Sequence, residues 1–309
     1  MPPALSIIIV NWNVRELLRT CLLSIGRGSG GLDAEIIVVD NASSDGSTDM
    51  LRHEFPSVRL IACDSNAGFS VGNNLGLAAA RGELVLCLNP DTEIVGDAIQ
   101  TLAAYLCANQ DVGVVGPQLR YPDGTVQSTR RRFPSFVTAL LESTILQQWF
   151  PRNRWLTRYY LDDVPAGITQ DVDWLMGACF MLRRSIVSQV GGFDEAFFMY
   201  SEELDWMQRI RFAGWRIVFL TEALVIHYEG KSSEQVVPQR HIRFQTSKIR
   251  YFQKHRGPLA AYALRGFLWL TYVFQLCEEA GKWLLGHKRY LRRERISAYW
   301  LVLKSGLRP

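Results

Sequence analysis

Asn89 and Asp91 flank Pro90 at the end of a continuous apolar run, Leu84 to Leu88. The run is short for a helix and rich enough in branched residues to be a strand buried on both faces. Pro90 cannot donate to a sheet ladder and holds Asn89 extended, so the strand stops there and presents Asn89 and Asp91 at its carboxyl edge. Ligands of open α/β sheets bind at that edge, and a carboxylate one residue from an amide oxygen suits a hard cation. The chemistry expected of Asp91 is to hold a divalent ion that grips a diphosphate. The same three residues also fit a plain turn, since all are common turn formers.

The elements that must position this edge precede it. Leu5 to Val10 is a β-branched run, followed by the polar loop Asn11-Trp12-Asn13 and an amphipathic stretch from Val14 to Ile25. The pattern repeats as Glu35 to Asp40, Asn41 to Gly46 and a helical Ser47 to Phe55, then as Val58 to Ala62, Asn66 to Ser70 and a helix through Ala80. Alternating strands and helices with short links predict an α/β class, a doubly wound and mostly parallel sheet. Asp40 ends its strand, where a carboxylate can accept hydrogen bonds from a base or ribose. Asp45 before Gly46 fits that site or a helix N-cap. No Gly-x-Gly-x-x-Gly follows the first strand and there is no Gly-Lys-Ser/Thr loop, so a nucleotide here needs its phosphates neutralised another way. A cation at Asp91 does this.

With 309 residues and 48% hydrophobic content the chain can build a substantial core. A net charge of +4 gives no argument for nucleic acid as a partner. Basic residues gather instead at Arg130-Arg131-Arg132, at Arg183-Arg184 and from Lys288 to Arg295. Six scattered cysteines without paired spacing read as reduced thiols and give no zinc motif. The first strand begins at once without a cleavable leader pattern, so a cytoplasmic location is expected.

Ile8-Ile-Val-Asn-Trp-Asn13, Val39-Asp-Asn-Ala-Ser-Ser-Asp-Gly-Ser47, Asn66-Ala-Gly-Phe69, Gly72-Asn-Asn-Leu-Gly76 and Leu88-Asn-Pro-Asp91 together resemble the family 2 glycosyltransferases, in the branch of bacterial rhamnosyltransferases. The likeness continues through Gly177-Ala178, Gly191-Gly-Phe-Asp194, Phe198 to Asp205 and Val225-Ile-His227. It implies a GT-A fold, a nucleotide-sugar donor, Mg²⁺ or Mn²⁺, and inversion at the anomeric carbon. Carried over by position, it gives Asn11, Trp12, Asn13, Asp40, Asn41, Ser43, Asn66, Gly68, Phe69, Asn73 and Asn89 to the nucleotide sugar. It gives Asn89-x-Asp91 to the Asp-x-Asp metal motif, with His227 as a further ligand, and Glu202-Glu203 to the Glu-Asp base motif. Two positions depart from the pattern: Asn89 removes one charge from the metal site, and Glu203 reaches a methylene farther than Asp.

Inverting transfer displaces a nucleoside diphosphate at an acetal carbon while the attacking hydroxyl loses its proton. Glu203 is the expected base, with Glu202 and Asp205 in the same cluster. Asp205 stands four residues before Arg209, the spacing of a surface ion pair, and with Glu202 also fits helix N-terminal charge. His227 fits a ligand or an ordinary histidine. Trp174 either lines an acceptor pocket, with Gly177 and Ala178 allowing close approach, or packs.

The expected division is 1–125 for the nucleotide-sugar half, 126–235 for the acceptor half and 236–309 for a helical, amphipathic C-terminal extension. Arg130 to Pro165 mixes aromatic residues with six arginines, fitting either a packed helical pair or a cover that meets a lipid-linked acceptor. Leu259 to Cys277 is apolar and aromatic, interrupted by Arg265 and followed by basic residues. That composition fits a helix lying on the inner face of the cell membrane, or else a bundle or homo-oligomer interface. The branch implies dTDP-rhamnose as donor, with another dTDP- or UDP-sugar as the alternative, and a polyprenyl-diphosphate-linked saccharide as acceptor in surface-polysaccharide assembly. A catalytically idle nucleotide-binding scaffold is the competing reading.

Overall fold

The computed structural model describes residues 3–28, 31–229 and 237–309. The chain begins with β1 (Leu5–Asn11), α1 (Arg15–Gly28), β2 (Ala34–Asp40), α2 (Ser47–Glu54), β3 (Arg59–Ala62), α3 (Phe69–Ala79) and β4 (Leu84–Leu88). It continues through β5 (Thr92–Val95), α4 (Ala98–Ala108), β6 (Val112–Arg120), β7 (Arg130–Arg131) and three short helices, α5 (Phe136–Leu141), α6 (Ile145–Trp149) and α7 (Arg154–Tyr160). Then follow β8 (Gln170–Asp171), β9 (Trp174–Leu175), β10 (Cys179–Arg183), α8 (Arg184–Val190), α9 (Glu202–Phe212), β11 (Arg216–His227), α10 (Val237–Arg256), α11 (Pro258–Leu284) and α12 (Arg289–Ser305).

Two compact units result. The first holds Met1–Phe133, Tyr160–Phe198 and Glu202–Ser232 around a sheet ordered β3-β2-β1-β4-β10-β6-β11-β5, with β8 paired to β11. Strands β5, β8 and β10 run against the others, so the sheet is mostly parallel as expected. The chain builds outward from β1 to β3 and returns to β4 on the other side of β1. That reversal is the switch point at which such sheets open a ligand crevice, and it lies between Asn11 and Asn89. Strands β1 and β4 are apolar and buried along their length because helices cover both faces. Gly76 makes one of these contacts possible: a Cβ there would lie 2.3 Å from Cγ2 of Ile8, so α3 can rest directly on β1.

The expected boundary at residues 125 and 126 does not divide the molecule. Strands β6, β10 and β11 complete the sheet that β1 to β4 begin, so the nucleotide and acceptor halves share one unit.

The second unit comprises Pro134–Tyr159, Met199–Ser201 and Ser233–Pro309. The aromatic-basic insertion therefore divides: Arg130 to Phe133 stay with the sheet, and the next stretch packs with the C-terminal helices. Trp149 meets Phe274 edge-on at 5.7 Å, and Phe136 meets Phe252 at 6.0 Å. Ser247 Oγ donates to Met199 O at 2.8 Å, and Phe244 packs against Tyr200. Helix α11 is long and apolar enough by length and composition to cross a membrane, yet only 28% of its apolar window is buried.

Candidate functional site

Three loops at the carboxyl ends of β1, β2 and β4 form the first part of the site. Asn11 and Asp40 are register partners at the ends of β1 and β2, and Asn11 Nδ2 donates to Asp40 Oδ2 at 2.8 Å. Asp40 Oδ1 accepts from Ser43 N at 2.8 Å, and Ser43 Oγ accepts from Asn13 N at 2.9 Å. Asp40 is buried with both oxygens engaged, so it shapes the loops that follow β1 and β2. Asp45 binds Arg15 N at 2.7 Å and Ser47 N at 3.0 Å, stapling the starts of α1 and α2. That is the capping role, extended to two helices at once.

Asn41 Nδ2 donates to Gly68 O at 3.0 Å, Asn66 Oδ1 accepts from Gly68 N at 3.0 Å, and Asn73 Nδ2 donates to Phe69 O at 3.0 Å. Gly68 has φ of 95° and a Cβ there would fall 2.5 Å from Phe198 O, while Phe69 N donates to that same oxygen at 2.8 Å. Only glycine meets both demands. Trp12 stands half-buried beside Asn11, and the buried Oδ1 atoms of Asn11 and Asn41 have no hydrogen-bond partner among the described residues.

At the end of β4 the chain turns as Pro90 requires. Asn89 N donates to Ala178 O at 2.8 Å, which joins the carboxyl end of β4 to the start of the antiparallel β10. Beyond Pro90 the unexpected edge strand β5 pairs with β11, with His227 opposite Thr92, and Tyr228 N donates to Asp91 O at 2.9 Å. These bonds bring His227 Nε2 to 3.4 Å from Asp91 Oδ1, both side chains buried. His227 Nε2 and Asn89 Oδ1 are buried without a hydrogen-bond partner among the described residues. The Asp91 carboxylate, the unpaired His227 ring nitrogen and the unpaired amide oxygen of Asn89, two residues before Asp91, are ligand types that a divalent cation takes. Among the described residues no third His, Cys, Asp or Glu joins Asp91 and His227.

Glu203, in the first turn of α9, lies against Gly177: a Cβ on Gly177 would be 3.6 Å from Glu203 Oε1. Ala178 O accepts from Asn89 N, so one backbone hydrogen bond links the end of β4 to the segment that Glu203 packs against. Burial pushes the Glu203 carboxyl above the ordinary Glu range, against relief from backbone amides including that of Gly177 and from the Arg131 guanidinium. Glu202 is pushed up further, first by burial and then by the neighbouring Glu203 charge. Two residues ahead of the pair, Tyr200 and Ser201 have φ of 72° and 65°. Consecutive left-handed non-glycine residues store backbone strain of the kind found at functional sites.

The raised Glu202 fixes the sign of one pH effect. A carboxyl that holds its proton more tightly when folded stabilises the fold fully below the ordinary Glu value of about 4.3, and that stability is lost as pH rises through the raised value. Glu202→Gln is expected to melt higher than the parent at neutral pH and to flatten the fall in melting temperature above about pH 4.5. Parallel melting curves for the two proteins across that range would show Glu202 to be ionised in the fold.

Other expected residues take structural places. Asp205 is fully buried, not on the surface, and Arg209 Nε donates to it at 2.9 Å while also binding Val190 O and Gly192 O. The pair latches α9 to the Gly191-Gly192 loop. Trp174 is 8% exposed and its indole N–H donates to Arg132 O at 3.0 Å. Arg130 is also buried, donating to Val164 O and Pro165 O, so the Arg130 to Arg132 triplet is no surface patch. Gln127 and Glu229, which sequence reasoning passes over, complete the surroundings of His227. The Tyr121-Pro-Asp-Gly124 turn was the available sign that Gln127 comes back alongside β6.

The profile of the family described as Glycosyl transferase family 2 matches residues 6–191. The chain is 32% identical over 250 residues to an N-acetylglucosaminyl-diphospho-decaprenol L-rhamnosyltransferase of Mycobacterium tuberculosis, a match covering 75% of this chain and 80% of that one. Among solved structures it is similar to GalNAc-T7 with UDP, GalNAc and Mn²⁺, with TM-score 0.59 and 14% identity over 82% of this chain and 48% of that one. It is also similar to the mannosyltransferase PcManGT from Pyrobaculum calidifontis in complex with GDP-Man and Mn²⁺, with TM-score 0.56 and 16% identity over 99% of this chain and 87% of that one.

Proposed function

The chain belongs to glycosyl transferase family 2, and from that premise we propose that it transfers L-rhamnose from dTDP-rhamnose to N-acetylglucosamine carried on a polyprenyl diphosphate, inverting the anomeric carbon. The observation that supports a transferase is the pairing of Asp91 with His227 at the end of β4, where Asn89 N donates to Ala178 O, next to the Gly177 that Glu203 packs against. The sugar and acceptor follow from the rhamnosyltransferase of M. tuberculosis, whose name gives both.

The base or ribose of the donor lies against the loops that Asn11, Asn13, Asp40, Asn41 and Ser43 build, with Asn66 to Phe69 and Asn73 supporting them. Asp91, His227 and Asn89 would hold Mg²⁺ or Mn²⁺, which when bound would supply positive charge to the leaving diphosphate. Glu203 accepts the proton of the attacking hydroxyl, and burial makes it a stronger base than an ordinary Glu. Gly177 and Ala178, beside that carboxylate, face the acceptor in this reading. The backbone turn at Gly68 holds the donor loop by a bond to Phe198 O.

The helical unit docks on the anionic inner face of the cell membrane. Tyr262, Trp269, Leu270, Phe274 and Trp283 are exposed along α11, and Lys288, Arg289, Arg293 and Arg295 follow. Aromatic rings at headgroup depth beside a basic run are the composition of an interfacial helix. Arg265 inside the apolar stretch is satisfied by Gly306 O at 2.7 Å.

With dTDP-rhamnose, Mn²⁺ and GlcNAc-diphosphopolyprenol in anionic vesicles, release of dTDP and retention of the rhamnosyl product on the lipid are expected. Release from another nucleotide sugar in preference to dTDP-rhamnose overturns the donor. Failure of the protein to float with anionic vesicles overturns the membrane reading.

A further inference from the structure

A chain of hydrogen bonds runs away from the Asp91 edge, and every member of it lies in the first unit. Glu229 Oε2 accepts from Tyr121 Oη at 2.7 Å and from Gln127 Nε2 at 2.8 Å. Gln127 Oε1 faces His227 Nδ1 at 2.9 Å, and His227 Nε2 faces Asp91 Oδ1 at 3.4 Å. Gln127 is 3% exposed, and its backbone N–H is held by Leu119 O at 2.9 Å.

The direction of each bond follows from one end. An ionised carboxylate only accepts, so the Gln127 edge beside Glu229 is the NH₂ group. The opposite edge of the amide is then its carbonyl, which can only accept, so His227 Nδ1 must carry the proton. A neutral ring with its proton on Nδ1 has a bare lone pair on Nε2. That lone pair points at the Asp91 carboxylate, and the two repel unless a cation lies between them.

We infer that Gln127 is a positioning residue which, oriented by Glu229 and Tyr121, locks His227 in the Nδ1–H tautomer and so keeps Nε2 open as a metal ligand. Histidine ligands ordinarily have the other ring nitrogen fixed by a neighbour, and loss of such a neighbour typically weakens the metal by about 10- to 100-fold. The inference rests on the metal reading of the Asp91 edge, and the test separates the two.

Mn²⁺ binding to the full chain without nucleotide is measured by the loss of the free-ion EPR signal, and the His227 tautomer by ¹⁵N shifts in the metal-free protein above the ordinary imidazole titration range. The parent is expected to bind Mn²⁺ and to show Nδ1–H alone. Gln127→Leu is expected to weaken Mn²⁺ by about 10- to 100-fold and to mix the tautomers. Glu229→Gln keeps the volume while freeing the Gln127 amide to turn over, and is expected to move both readouts the same way if the leucine variant fails to fold. Unchanged Mn²⁺ affinity in folded variants of a parent that binds the ion overturns the relay, as does an Nε2–H ring in the parent. A parent that binds no Mn²⁺ but shows Nδ1–H removes the metal reading and leaves the tautomer lock standing.

Discussion

Glu203→Gln is expected to lower kcat by about a hundred- to ten-thousand-fold while the donor binds as before, because a positioned general base contributes on that scale. The amide has the shape of the carboxylate, so the packing against Gly177 survives and the loss is that of the acceptor lone pair for a proton. The pH profile gives the same residue a second signature. Burial raises Glu203, so the base is emptied of its proton only above the ordinary Glu range, and kcat/KM should fall as pH drops through that raised value. In Glu203→Gln that acidic limb disappears from whatever activity is left. Turnover near that of the parent, or an acidic limb that persists, would assign the proton to another group.

The contrast between Glu203 and Asp205 shows how far the sequence carried. A Glu-Glu-Leu-Asp stretch at the start of a helix announces acidic residues, and the Asp205 to Arg209 spacing reads as a surface pair. Helix α9 instead buries that face, because Arg209 reaches two backbone carbonyls of the Gly191-Gly192 loop and needs a counterion once desolvated. Spacing alone does not distinguish these cases. The Arg130 to Arg132 triplet misleads for a like reason: the Arg130 guanidinium is held by Val164 O and Pro165 O, carbonyls that only the fold brings near.

Strand β4 was legible to the residue, since an apolar run closed by Pro90 admits one ending. The first three strand-helix units were legible because each alternates buried runs with polar loops. Strand β5 was hidden, because four residues following Asn-Pro-Asp look like the rest of a turn and pair only with a strand more than a hundred residues on. The antiparallel β10 inside a parallel sheet was hidden as well, and it is the strand that brings Ala178 to the end of β4. Gln127 lies in a polar stretch with nothing to mark it. Its meaning comes from His227, one hundred positions away.

Asp91→Asn is the second large effect expected, and it tests the edge from the other direction. The change keeps volume and removes the one formal negative charge facing His227 Nε2, so Mn²⁺ affinity and the affinity for a nucleoside diphosphate in its presence should fall together. A cation at the leaving group is worth several kcal/mol of transition-state stabilisation, and each 1.36 kcal/mol is about tenfold in rate, so a loss of two or more decades in kcat is expected. Asn89→Asp runs the comparison in reverse by adding charge beside Asp91, where Asn89 Oδ1 is now buried and unpaired. Two buried carboxylates repel in the metal-free protein, so that variant should melt lower than the parent without Mn²⁺, bind the ion more tightly and regain stability as it is added. If Asp91→Asn kept both its Mn²⁺ affinity and its turnover, Asp91 would be no metal ligand and the ion would have to sit elsewhere. Glu203 would then have to work against a leaving group neutralised by some other part of the chain.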